Sequence, residues 1–332
     1  LKHATLEDIL NSVERDYSEI RNEFLNGGRM QGDPAEGVDN LIEELRKSPS
    51  IGASLEGKMF SSVCRGARKG CFFLKSSSTS GGKSRTSIFD ACHIAYPKRW
   101  SHEKKAFIEE IDASGQPREP RKVLFIVTEM DKEELQTIML AYLSGVDEDS
   151  ILTGSYQFGE LTRVHQAAAI IKEYSGYFLI EEISDPNLQN VEATIRKYAT
   201  VDDVEYVFFD YIHTSLKILE EITKRSGGIR LREDNVLFMI SIRLKDLCNQ
   251  YGVFIMSATQ LNADYQESET PDQNLLRGAK SIADKIDTGL IMLETTQKDK
   301  EALAPVIKKL GIEMPNIKIS LYKNRRGRWK EI

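Results

Sequence analysis

The chain has 332 residues, 40% of them hydrophobic and 29% charged, a balance that fits a globular protein and excludes fibrous and disordered classes. Its 45 Lys and Arg against 51 Asp and Glu leave a formal charge of −6, so no basic field covers the whole molecule and any nucleic-acid surface must be local. Apolar runs such as Val123 to Val127 fall far short of the roughly 18 residues a membrane helix needs, and four cysteines without CxxC spacing suit a reducing interior, so a cytoplasmic location is expected.

Residues 1 to 26 repeat apolar positions at three-or-four spacing (Leu6, Ile9, Leu10, Val13, Tyr17, Ile20, Phe24), which predicts an amphipathic helix that needs a partner, in its own domain or on a neighbour. Gly27, Gly28, Gly32 and Pro34 break it, and a second short helix begins over Val38 to Leu45. Residues 1–50 therefore read as a helical linker arm and 51–332 as the main domain. The chain opens on Leu1 and closes soon after its last predicted strand, so it reads as a piece of a longer protein.

From Gly70 the pattern alternates strand with helix. Strands are expected over Cys71 to Lys75, Lys122 to Thr128, Tyr177 to Ile180, Tyr206 to Phe209, Val253 to Ser257, Gly289 to Leu293 and Asn316 to Tyr322. Helices are expected over Lys83 to Ala95, Asp131 to Leu143, Glu160 to Tyr174, Leu188 to Tyr198, Asn235 to Asn249 and Lys300 to Leu310. Several strands are apolar on both faces, which predicts an α/β fold with a mainly parallel sheet covered by helices. Residues 97–120, rich in Pro, Lys and Glu, read as a surface insertion.

Chemistry concentrates at predicted strand ends. Ser77 to Ser84 joins a strand to a helix and closes as G-x-x-x-x-G-K-(S/T) does, with Ser77 in place of the first glycine. The backbone of Ser78, Thr79, Ser80, Gly81 and Gly82 is expected to wrap a β-phosphate at the helix N-terminus, with Lys83 on the β and γ phosphates and the Ser84 hydroxyl on Mg²⁺. Asp210, ending the run Tyr206 to Phe209, is the second Mg²⁺ anchor, and ATP is the expected substrate. Glu129 follows Val123 to Val127 and is the candidate to orient or deprotonate water, although a first-turn acid at a helix N-terminus has the same sequence pattern. Gln260 ends another apolar strand and reads either as a hydrogen-bond partner of the γ-phosphate or as a polar loop residue. His102-Glu103 begins a zinc-protease motif, but Ala106 occupies the second histidine position, which excludes it.

These residues resemble those of the DnaB-type replicative helicases, whose motor is a RecA-like ATPase forming six-membered rings. The resemblance runs from about Gly66 to the end. It is carried in order by Gly82-Lys83-Ser84, Thr128-Glu129-Met130, Asp210-Tyr211, Gln260-Leu261-Asn262, Leu276-Arg277 with Ile282 and Asp287, and Lys323-Asn324-Arg325-Arg326-Gly327. The chain departs from the family at Ser77, in the length of 97–120 and at Gly278-Ala279-Lys280.

The resemblance implies an ATP-dependent ring helicase that moves on single-stranded DNA and unwinds duplex in replication, as a homo-hexamer with primase and a helicase loader as partners. It implies that Lys323 and Arg325 act across the subunit interface and that Arg277, Gly278 and Lys280 contact DNA. A second basic loop at Lys224 to Arg232 is a further DNA candidate. The alternatives are a RecA- or RadA-like recombination ATPase and a nucleotide-binding ring or loader-binding module without turnover.

Overall fold

A computed structural model of the chain describes residues 35, 37–47, 51–112, 116–212, 217–219, 233–262, 275–276, 282–325 and 327. The chain divides into two compact units, Leu1–Ser50 and Ile51–Ile332. In the first, Val38–Lys47 is an amphipathic helix whose apolar stripe, Val38, Leu41, Ile42 and Leu45, is exposed. The helix expected over residues 1–26 lies outside the described residues.

The second unit is built on a seven-stranded sheet. Its strands are β1 (Phe72–Ser77), β4 (Val123–Val127), β5 (Phe178–Glu182), β6 (Tyr206–Asp210), β7 (Phe254–Gln260), β8 (Thr288–Glu294) and β9 (Ile317–Asn324). They lie in the order β5-β4-β6-β7-β1-β8-β9. All pair in parallel except β9, which runs antiparallel to β8. Strands β1, β4 and β6 are buried along their whole length, so both faces require cover.

Alternation along the strands supplies that cover. On one face Phe73, Phe125, Phe208 and Phe254 pack with Ile88, Ala91, Leu135 and Ile138 of the helices Lys83–Ala95 and Lys132–Ser144. The Phe125 and Phe208 rings stack with centroids 5.9 Å apart, and Phe73 meets Phe254 edge-on at 5.0 Å. On the other face Leu74, Ile126, Val207 and Ile255 pack with Val191, Ile195, Val236 and Ile240 of the helices Leu188–Val201 and Glu233–Tyr251. At the β8–β9 edge Tyr322 folds across Gly289, where any Cβ would lie 2.2 Å from the ring, so glycine is required there.

Every expected strand and every helix expected after Gly70 is present, with ends shifted by a few residues. The largest strand extension is in β7, which runs on through Gln260 because Ala258 and Thr259 pair with Lys75 and Ser76 of β1.

The 97–120 stretch contains structure its composition conceals: an antiparallel hairpin of β2 (Lys98–Ser101) and β3 (Ala106–Glu109). Trp100 meets Phe107 edge-on across it at 5.5 Å, and Arg163 lies 4.7 Å over the Trp100 ring. Arg118 then donates to the carbonyl of His93 and, at 2.6 Å, to that of Tyr96. The closing carbonyls of the helix Lys83–Ala95 have no partner within the helix, and a guanidinium there also complements the helix dipole. The helix that starts at the phosphate loop is thus pinned at its far end by the insertion. Among the described residues no helix is long and apolar enough to cross a membrane.

Candidate nucleotide site

β1 ends at Ser77 and the helix Lys83–Ala95 begins after five intervening residues. Ser80 (φ 60°) and Gly82 (φ 81°) take left-handed conformations that turn the backbone back on itself. Ser77, standing where the motif has glycine, closes the loop with its own side chain, Oγ donating to the Gly81 carbonyl at 3.1 Å. That closure needs glycine opposite it, because a Cβ at Gly81 would lie 1.7 Å from the Ser77 Oγ. No side chain caps the helix start, so its first N–H groups are left for an anion. Lys83 is only 8% exposed and folds back, its Nζ donating to the Ser78 carbonyl at 2.6 Å and toward that of Ser77 at 3.4 Å.

The parallel register brings the other candidates to the same edge. Ser77 pairs with Gln260 across β1 and β7, and Val127 with Asp210 across β4 and β6. Thr128 Oγ1 donates to the Asp210 carbonyl at 3.0 Å, tying the two strand ends together. Glu129 stands exposed just beyond, and the Tyr211 hydroxyl donates to its Oε1 at 3.2 Å. Glu129 is therefore held by a neighbouring strand end, although it sits two residues before Asp131, which caps the next helix by accepting from the Glu134 N–H. Tyr211 was readable only as the neighbour of Asp210; its hold on Glu129 depends on adjacency of β4 and β6.

Asp210 is 8% exposed, and burial pushes its carboxyl above the ordinary value, against the opposing pull of the Ser84 hydroxyl and the Lys83 ammonium. Burial likewise lowers Lys83, opposed by Asp210 and Glu129. The Asp210 Oδ1 is buried without a hydrogen-bond partner. An orphan carboxylate oxygen beside a serine hydroxyl, at the mouth of an anion cradle, suits a divalent cation. Among the described residues no group of three or more His, Cys, Asp or Glu gathers to hold an ion, so Asp210 and Ser84 would share it with phosphate and water.

The raised Asp210 carboxyl bears on stability. A carboxyl raised on folding binds its proton more readily in the native state than in the unfolded one, so at neutral pH its ionised form opposes folding. Asp210→Asn is expected to raise the melting temperature of the ligand-free protein at pH 7, the gain shrinking as pH falls toward the ordinary value of 3.8. Melting curves of both proteins across that range check it; a lower melting temperature at pH 7 contradicts it.

Lys323 and Arg325 are elsewhere. β9 runs against the other strands, and Asn324 pairs with Thr288, itself paired with Phe73 near the start of β1. Lys323 Nζ donates to the Ala283 carbonyl, and burial lowers its pKa. The Arg325 N–H donates to the Asp287 carbonyl at 2.8 Å, and its half-exposed guanidinium stands 3.8 Å from the Asp287 carboxylate. Asp287 Oδ2 in turn accepts from the Phe72 N–H at 2.9 Å and Lys245 Nζ at 2.7 Å. Arg325 is thus fixed where β1 begins, whereas the phosphate loop leaves where β1 ends, about 15–20 Å away at the rise of a strand. Lys245 and Asp287 are an anchoring pair that spacing alone did not expose.

The predicted DNA contacts Arg277, Gly278 and Lys280 lie outside the described residues, as do Lys224 to Arg232. Leu261 and Leu276 form an antiparallel bridge, and the Asn262 N–H donates to the Leu275 carbonyl at 2.9 Å, so the segment leaving β7 returns to the same sheet edge.

A glycine-bearing loop between a strand and a helix, with carboxylates on adjacent parallel strand ends, is the arrangement of P-loop nucleotide-binding proteins. The family model for the DnaB-like helicase C terminal domain matches residues 64–332, and the chain belongs to that family. A prophage-derived uncharacterized protein of Bacillus subtilis, YorI, is 38% identical over 99% of this chain and 64% of its own length. A probable plasmid replicative DNA helicase of Chlamydia trachomatis is 24% identical over 62% of this chain and 40% of its own length. The chain thus spans less than two thirds of these relatives. Among solved structures, one ATPase domain superposes with a TM-score of 0.64 at 14% identity, over 90% of this chain and 93% of that one. A DnaB-like replicative helicase described with its primase interactions superposes at 0.63 and 13% identity, over 97% and 72%. The fold is therefore the RecA-like one of helicase ATPase domains.

Proposed function

We propose that the chain is the ATP-driven motor of a replicative ring helicase, moving on single-stranded DNA and separating duplex. Family membership supports the class. The placement of Arg325 supports the mechanism: it stands at the far end of β1 from the phosphate loop of its own chain, so an arginine finger at this position would serve the adjacent copy. In this reading Ser78 to Ser84 hold the phosphates, Ser84 and Asp210 hold Mg²⁺, and Gln260 senses the γ-phosphate. Glu129, oriented by Tyr211, aligns and deprotonates the attacking water. Lys323 and Arg325 of the adjacent copy stabilise charge on the transferred phosphoryl group.

Arg277, Gly278 and Lys280 are assigned to the DNA strand, a six-membered ring to the assembly, and the cytoplasm to the location. Primase, which a structural neighbour is described as binding, and a helicase loader are the proposed partners. The test is displacement of a strand from a forked duplex with Mg·ATP. DNA-stimulated hydrolysis without displacement would favour a recombination-type ATPase, and nucleotide binding without turnover a non-enzymatic ring.

Glu129→Gln is expected to keep nucleotide binding and to lower turnover by roughly 10²-fold or more, the scale of general-base catalysis. Fluorescent-nucleotide titration with steady-state phosphate release measures both, and loss of binding would make Glu129 structural.

A further inference from the structure

The connection between β8 and β9 is a helix, Gln297–Leu310, and it buries none of its residues. It is not a loose excursion. Thr296 and Asp299 form a reciprocal capping box, and Lys318 on β9 donates to Asp299 at 2.9 Å, fixing the helix start to the sheet edge. Leu303, Val306, Ile307 and Leu310 fall at three-or-four spacing on one stripe. Val306 is 50% exposed and Leu310 61%, and the following Ile312 is exposed as well. Leu303 and Ile307 are partly covered, but Val306 and Leu310 on the outer side of the stripe are left bare, and a well-anchored amphipathic helix with that bare edge points to cover from outside.

Its position names the cover. The helix rises from the edge of the sheet that carries the phosphate loop: a Cβ at Gly82 would lie 3.4 Å from Ile317 at the start of β9, and Thr86 meets Met292 of β8 at 3.7 Å. On the strands that the helix connects, an apolar pocket of about 110 Å³ is walled by Phe89, Leu290, Met292 and the half-exposed Ile319, with the buried Lys75–Asp90 ion pair in its lining. Apolar pockets of this kind receive the anchoring side chains of interfaces. Because Arg325 stands at the opposite end of its own sheet, the copy that delivers an arginine to this loop must come against this edge.

We propose that the helix Gln297–Leu310 and the pocket on the β8 and β9 strands it connects are a docking surface for a second copy of this chain, bracing the interface that completes the nucleotide site. The proposal rests on the composite-site reading and adds a contact to it.

The test is Val306→Lys with Leu310→Lys in the full chain, followed by sedimentation velocity with Mg²⁺ and a non-hydrolysable ATP analogue. Both positions face solvent in one copy, so the melting temperature of the unassembled chain should be unchanged. Wild type should assemble. The variant should require roughly tenfold or more protein to do so, the effect of losing central interface anchors. It should bind fluorescent nucleotide as wild type does and recover ATP turnover as its concentration is raised. A variant that assembles at wild-type concentration overturns the docking surface alone. A lower melting temperature of the unassembled chain also overturns it, because Val306 and Leu310 then pack within their own domain. A wild type that stays monomeric removes the composite site and this proposal together.

Discussion

Lys83→Ala is expected to reduce ATP hydrolysis to background, a loss of roughly 10³-fold or more, while the fold persists. Lys83 is the cation of the loop, at the helix start where the β and γ phosphates would sit, and its ammonium donates to the carbonyls of Ser78 and Ser77. Asp210 and Glu129 offset the burial of its ammonium without a close ion pair, and the Ser78 and Ser77 carbonyls keep the Gly81 and Leu261 N–H groups when it is removed. The melting temperature should stay near that of wild type while phosphate release disappears. Substantial remaining turnover would remove the phosphate-loop assignment.

Arg325→Ala should leave nucleotide binding nearly intact and lower turnover by about 10³-fold or more, the scale of an arginine finger. Asp287, its neighbour, keeps Lys245 and the Phe72 N–H, so the strand start should hold. The distinguishing result comes from mixing. If Arg325 serves the next copy, inactive Arg325→Ala chains mixed with inactive Lys83→Ala chains should regain part of the wild-type turnover, because an intact phosphate loop of one then meets the intact arginine of the other. No turnover at any mixing ratio would place Arg325 outside a shared site.

The elements around the nucleotide site were largely legible in the sequence because each has a strong local signal. The double-faced apolar runs of β4 and β6, the glycines at 81 and 82, and the carboxylates at or just past the strand ends all depend on neighbours in sequence. What was not legible depends on pairing across the sheet. Tyr211 holds Glu129 because β4 and β6 are adjacent, and the Asp287–Lys245–Arg325 cluster exists because β9 turns back against β8. The β2–β3 hairpin was masked by its charged composition; a cross-strand aromatic pair and the Arg163 guanidinium over its Trp100 help hold it, and neither has a sequence period. The helix Gln297–Leu310 was expected as an element, yet its periodicity could not tell an apolar stripe facing the core from one facing outward.

Whether hydrolysis at a shared site drives strand separation is best decided by following release of a labelled strand from a forked duplex by the full chain. The reaction is run with Mg·ATP, in parallel with Glu129→Gln and Arg325→Ala. Displacement is expected from wild type, and none from either variant or with a non-hydrolysable analogue. Wild-type chain that hydrolyses ATP in the presence of single-stranded DNA yet leaves the fork intact would refute the helicase reading.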